Sequence, residues 1–69
     1  MKFTHYVGYF LNPKDRTKFT VVAALTDSTA AYILLDELRK ADSFYELLPG
    51  HDVTGRELVD QKGARIKPQ

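Results

Sequence analysis

Phe3-Thr4-His5-Tyr6-Val7-Gly8-Tyr9-Phe10-Leu11, followed after a polar loop by Phe19-Thr20-Val21-Val22-Ala23-Ala24-Leu25, is the stretch that decides the fold. Side chains two apart on a strand share a face. In the first run the odd set is Phe3, His5, Val7, Tyr9 and Leu11, and the even set is Lys2, Thr4, Tyr6, Gly8 and Phe10. The second sorts into Phe19, Val21, Ala23 and Leu25 against Lys18, Thr20, Val22 and Ala24. The odd positions are therefore the expected core face. With odd facing odd across a hairpin, Leu11 opposes Phe19 and Tyr9 opposes Val21, which leaves Tyr6 and Phe10 on the other face, flanking Gly8. A glycine inside a strand also raises the question of a bulge.

Between the two runs, Asn12-Pro13-Lys14-Asp15-Arg16-Thr17 is rich in turn formers and charge, as suits a solvent-exposed hairpin loop longer than the two-residue type. Outward on the other side, Thr26-Asp27-Ser28-Thr29 supplies side-chain oxygens that accept from the unpaired amides of a helix start. Ala31, Leu34, Leu35, Leu38 and Ala41 follow at three- and four-residue steps and form one stripe able to cover the hairpin. Tyr32, Asp36, Arg39 and Lys40 lie opposite, with Asp36 and Lys40 spaced as an ion pair of about 0.3 kcal/mol.

Beyond Ala41 the reading divides. The helical spacing extends through Tyr45 and Leu48, or Ser43-Phe44-Tyr45-Glu46 restarts a short helix as a capping box; in both cases Pro49-Gly50 stops it. Thr54-Gly55-Arg56-Glu57 is another possible capping box. From Leu58 to Ile66 a small hairpin turning at Gly63 is favoured over a helix, because glycine suits a left-handed position and Val59 and Ile66 prefer strands. Lys67-Pro68-Gln69 is expected to fray. The expected architecture is α+β: one small domain over residues 1–69, with an N-terminal antiparallel hairpin packed on one amphipathic helix and a short C-terminal hairpin or strand, a ββαββ-like order.

A 69-residue chain has a thin core, since a domain of this size removes only about 60% of its unfolded surface from water. No cysteine is present, so a disulfide cannot reinforce it. His5 and His51 alone cannot supply the four ligands of a structural zinc. No cofactor is indicated. The longest apolar run in the latter part, Ala30 to Leu35, falls far short of the roughly 20 residues that cross a bilayer, and the N-terminal residues lack a signal-peptide stretch. A cytoplasmic location without membrane contact is the expectation.

Net charge is +1, unevenly spread. Lys2, Lys14, Arg16 and Lys18 against Asp15 make residues 1–26 +3, eight acids against Arg39, Lys40 and Arg56 make residues 27–60 −5, and Lys62, Arg65 and Lys67 make the tail +3. Such asymmetry steers a partner or simply solubilises the surface.

Catalytic constellations are thin. Ser28 and Ser43, the only serines, are better explained as helix caps than as nucleophiles beside His5 or His51. His51-Asp52 is expected in a loop, where adjacent side chains usually point apart, and a base needs convergent partners. Asp42 and Glu46, if helical, share a face, yet magnesium generally needs substrate phosphates as well. Gly50-His51-Asp52-Val53-Thr54-Gly55-Arg56-Glu57 imitates a phosphate loop, but Arg56 and Glu57 stand where Lys and Ser or Thr are required. An enzyme is not expected.

Binding remains, on two alternative surfaces. Four Tyr and four Phe are more rings than so thin a core is expected to hide, and partly exposed rings anchor interfaces. The candidate protein-binding set is Tyr6, Phe10, Tyr32, Phe44 and Tyr45, with Asp36, Glu37, Asp42 and Glu46 as a polar surround. An exposed hairpin edge also offers pairing with a partner's sheet or a second copy. A nucleic-acid surface would instead use Lys2, Tyr6, Phe10, Lys14, Arg16 and Lys18, with rings stacking on bases and cations on phosphates. Against it stands a pI of about 8.0, short of the basic signature above about 9. The leading expectation is a non-catalytic module that binds a host protein stoichiometrically, as an accessory or inhibitor protein of phage or plasmid type would; a homodimeric structural protein is a further alternative.

Overall fold

The computed structural model describes residues 2–67. Met1, Pro68 and Gln69, and with the last two most of the expected frayed end, lie outside the described residues. The elements are strands β1 (His5–Phe10) and β2 (Lys18–Leu25), helix α1 (Ser28–Ala41), strand β3 (Glu46–Pro49), a 3₁₀ turn (Gly50–Val53) and strand β4 (Glu57–Val59). The α+β expectation holds: one helix packs on a four-stranded mixed sheet of order β3-β1-β2-β4. β1 is antiparallel to both neighbours, whereas β4 runs parallel to β2. α1 therefore links two strands of the same direction, β2 and β3, with β1 between them.

The hairpin loop is held by its own turn chemistry. Asn12 Oδ1 accepts from the Lys14 amide at 3.0 Å and the Asn12 carbonyl accepts from the Asp15 amide at 3.1 Å. The register matches the odd-with-odd ladder only at one end, where His5 faces Leu25 and Val7 faces Ala23. Beyond Val7 it slips by one: Gly8 faces Val21 and Phe10 faces Phe19. Val22 is the extra residue of a β-bulge. The expected Leu11–Phe19 and Tyr9–Val21 pairs are thus replaced, and the slip brings the Phe10 and Phe19 rings to 5.0 Å.

Both faces of the sheet are buried, which overturns the assignment of the core to odd positions alone. Val7, Ala31 and Leu35 form the layer under the helix, joined by Val22, Leu25, Leu34, Leu38, Tyr45 and Leu47. On the other face, Tyr6, Phe10, Phe19, Val21, Leu48, Val53 and Leu58 form a larger cluster, flanked by Phe3, Ala24 and Ile66. The chain after Pro49 crosses that face and supplies its lid.

α1 starts at Asp27, whose carboxylate accepts from the Thr29 amide at 3.0 Å. Asp27→Ala should lower stability by about 1 kcal/mol, read as a shift of the urea midpoint at unchanged slope. The stripe is seated as the spacing requires, with Ala31 and Leu35 buried, although Ala41 stays exposed. Arg39 and Lys40 in the last turn complement the helix dipole. Lys40 pairs with Glu37 at 3.1 Å, so the expected Asp36–Lys40 pair is not the one formed.

Neither helical reading of residues 43–48 survives. Asp42 takes an extended conformation, and Glu46–Pro49 adds to β1 as β3. Leu47 faces the helix layer while Leu48 enters the opposite cluster, and only an extended backbone sends adjacent side chains to opposite faces. Asp42 and Glu46 accordingly share no helix face. The Thr54–Glu57 capping box is not formed either, since Glu57 opens β4. The C-terminal turn at Gly63 does form: its φ is +87°, Asp60 Oδ1 accepts from the Lys62 and Ala64 amides at 2.8 and 2.9 Å, and Arg65 bridges back to Val59.

Candidate functional site: an exposed aromatic and helical face

Three rings meet beyond the C-terminal end of α1. Tyr9 comes from the end of β1, Phe44 from the turn after the helix and Tyr45 from the residue before β3. Tyr9 lies edge-on to both partners, with centroids at 5.3 Å to Phe44 and 5.9 Å to Tyr45, while Phe44 and Tyr45 stack at 4.6 Å. Edge-on and offset contacts of this kind are the favourable ones for ring quadrupoles. Arg39 ties the turn to the helix by donating Nε–H to the Tyr45 carbonyl at 2.9 Å. Phe44 is held in place yet remains 50% exposed.

A second group of apolar side chains stands on the outer side of α1, where Tyr32 is 55% and Ile33 61% exposed. Asp36, Glu37 and Lys40 surround Ile33 in a shallow depression that Arg39 also borders. Arg39 in turn borders a depression formed with Phe44, Ser43, Pro13, Phe10 and Glu46. Ile33 and Phe44 thus border two depressions that share Arg39.

The remaining candidates are placed differently. Tyr6 is 0% and Phe10 6% exposed, so neither stands on an open sheet face, which corrects the expectation for both binding surfaces. Val53, Leu58 and Ile66 pack on that face. Glu46 accepts from both terminal guanidinium nitrogens of Arg16 at 3.1 and 3.3 Å, and the same guanidinium lies 4.0 Å over the Phe10 ring. Lys18 approaches Glu57 at 3.8 Å. Two of the four cations of the nucleic-acid set thus face carboxylates; Lys2 and Lys14 are exposed at separate places in the fold. Periodicity alone does not single out Ile33 and Leu11 as exposed residues, although Ile33 falls outside the Ala31-Leu34-Leu35-Leu38 stripe and a helical wheel puts it on the outer side.

The expected open hairpin edge is also corrected, because β1 and β2 are both interior to the sheet. The outer side of β4 is met by Arg65, and among the described residues no strand covers the outer side of β3. That side is poorly suited to another strand. The Gly50 amide donates toward β1, to the Thr4 carbonyl at 2.7 Å, so by alternation the backbone groups of Leu48 and Glu46 also point toward β1 while those of Tyr45, Leu47 and Pro49 point to the outer side. Pro49 has no N–H to offer and the Tyr45 carbonyl is taken by Arg39. These are recognised protections of an edge strand.

Among the described residues no group of three or more His, Asp or Glu side chains is gathered as a metal site, and no helix is long and apolar enough to cross a membrane. The fold is a small α+β domain with exposed apolar side chains on the outer helix and in the turn that follows it. Compared with protein-family models, curated proteins and solved structures, the chain matches none.

Proposed function

We propose that this chain is a small non-catalytic protein-binding module of the cytoplasm, an accessory or inhibitor protein that acts by stoichiometric contact with a host protein, in the manner of small phage- or plasmid-encoded proteins. The observation that carries the reading is the exposure of Ile33 and Phe44, which border two depressions that share Arg39, with Tyr32 exposed next to Ile33 on the same helix. Large apolar side chains clustered within a polar rim are the usual anchors of protein interfaces. Asp36, Glu37 and Lys40 supply that rim. The protected outer side of β3 favours recognition by side chains over addition of a strand.

The nucleic-acid alternative loses its stacking platform with the burial of Tyr6 and Phe10, and loses cation strength with the pairing of Arg16. The test is capture from a nuclease-treated lysate by the immobilised chain. One protein retained in fixed ratio is expected, with Tyr32→Ala and Phe44→Ala each weakening retention while the thermal melt stays within a few degrees of the parent. A nuclease-sensitive catch, or retention unchanged in both folded variants, contradicts the reading. Sedimentation of the purified chain separates this from self-association, which would register as a concentration-dependent dimer.

A further inference from the structure

We draw no further inference here: the strongest candidate, the pair of depressions on the outer helix and the turn after it that share Arg39, belongs to the surface already described, and nothing in the structure shows what covers it.

Discussion

Gly8→Ala is expected to abolish cooperative folding. A Cβ at this position would stand 1.9 Å from the Thr20 carbonyl oxygen and 2.9 Å from its carbon, with the Phe19 ring at 3.1 Å. The first two are backbone atoms inside the β1–β2 ladder and cannot yield as a flexible side chain would. Overpacking of a core costs about 1–3 kcal/mol when side chains can shift, and more when they cannot. A single core below about 70–80 residues supplies only about 3–5 kcal/mol, so the substitution consumes most of it. Circular dichroism during heating should show a broad, featureless change in place of a transition. Gly50→Ala is the control, since the nearest atom to its Cβ is 3.4 Å away. A Gly8→Ala protein melting within a few degrees of the parent would contradict the close approach at the bulge.

Tyr6→Ala should be the most damaging truncation of a large side chain. Tyr6 is fully buried on the central strand, with the Phe3 ring at 6.5 Å and Leu48 opposite it on β3. Removing a buried aromatic ring typically costs about 3–5 kcal/mol, combining lost transfer energy with the cavity left behind. Urea unfolding should therefore place the variant at or below the edge of stability. Phe44→Ala removes a ring of comparable size from a half-exposed position, and its cost should stay at about 1 kcal/mol, mainly the loss of its contacts with Tyr9 and Tyr45. Equal costs at the two positions would show that the division between core and surface rings is misplaced.

The contrast between those rings also separates the features that are legible in the amino-acid order from those that are not. Local chemistry is legible: Asp27 caps the helix, Ala31 and Leu35 anchor its stripe, Asn12 to Thr17 turns, and Gly63 takes a positive φ. Each depends on residues within a turn or two of one another. Long-range placement is less so. Leu47 and Leu48 serve opposite clusters, so β3 lacks the polar alternation that identifies a half-exposed strand, and its apolar pair fits a helix equally well. The bulge at Val22 leaves no local mark except Gly8, and that glycine gains its meaning only from the Thr20 carbonyl across the ladder.

Burial of Tyr6 and Phe10 depends on Val53, Leu58 and Ile66, which arrive more than forty residues later and leave no periodic trace in the first hairpin. For the candidate site, Phe44 and Tyr45 are identifiable as candidate anchors by residue type alone, since one helical reading carries the stripe through Tyr45. Their meeting with Tyr9 requires the β1–β3 pairing. Once the two buried clusters have taken their residues, the apolar side chains left outside them define the surface available to a partner.

That surface is tested most directly by one comparison: retention of the captured protein by the parent chain and by a Tyr32→Ala, Ile33→Ala, Phe44→Ala triple variant, with both melts recorded. A variant that keeps a cooperative melt and loses at least about tenfold in retention, the effect of removing anchors from an interface, is the predicted result. Undiminished retention by the folded triple variant would contradict it and move the contact to another face.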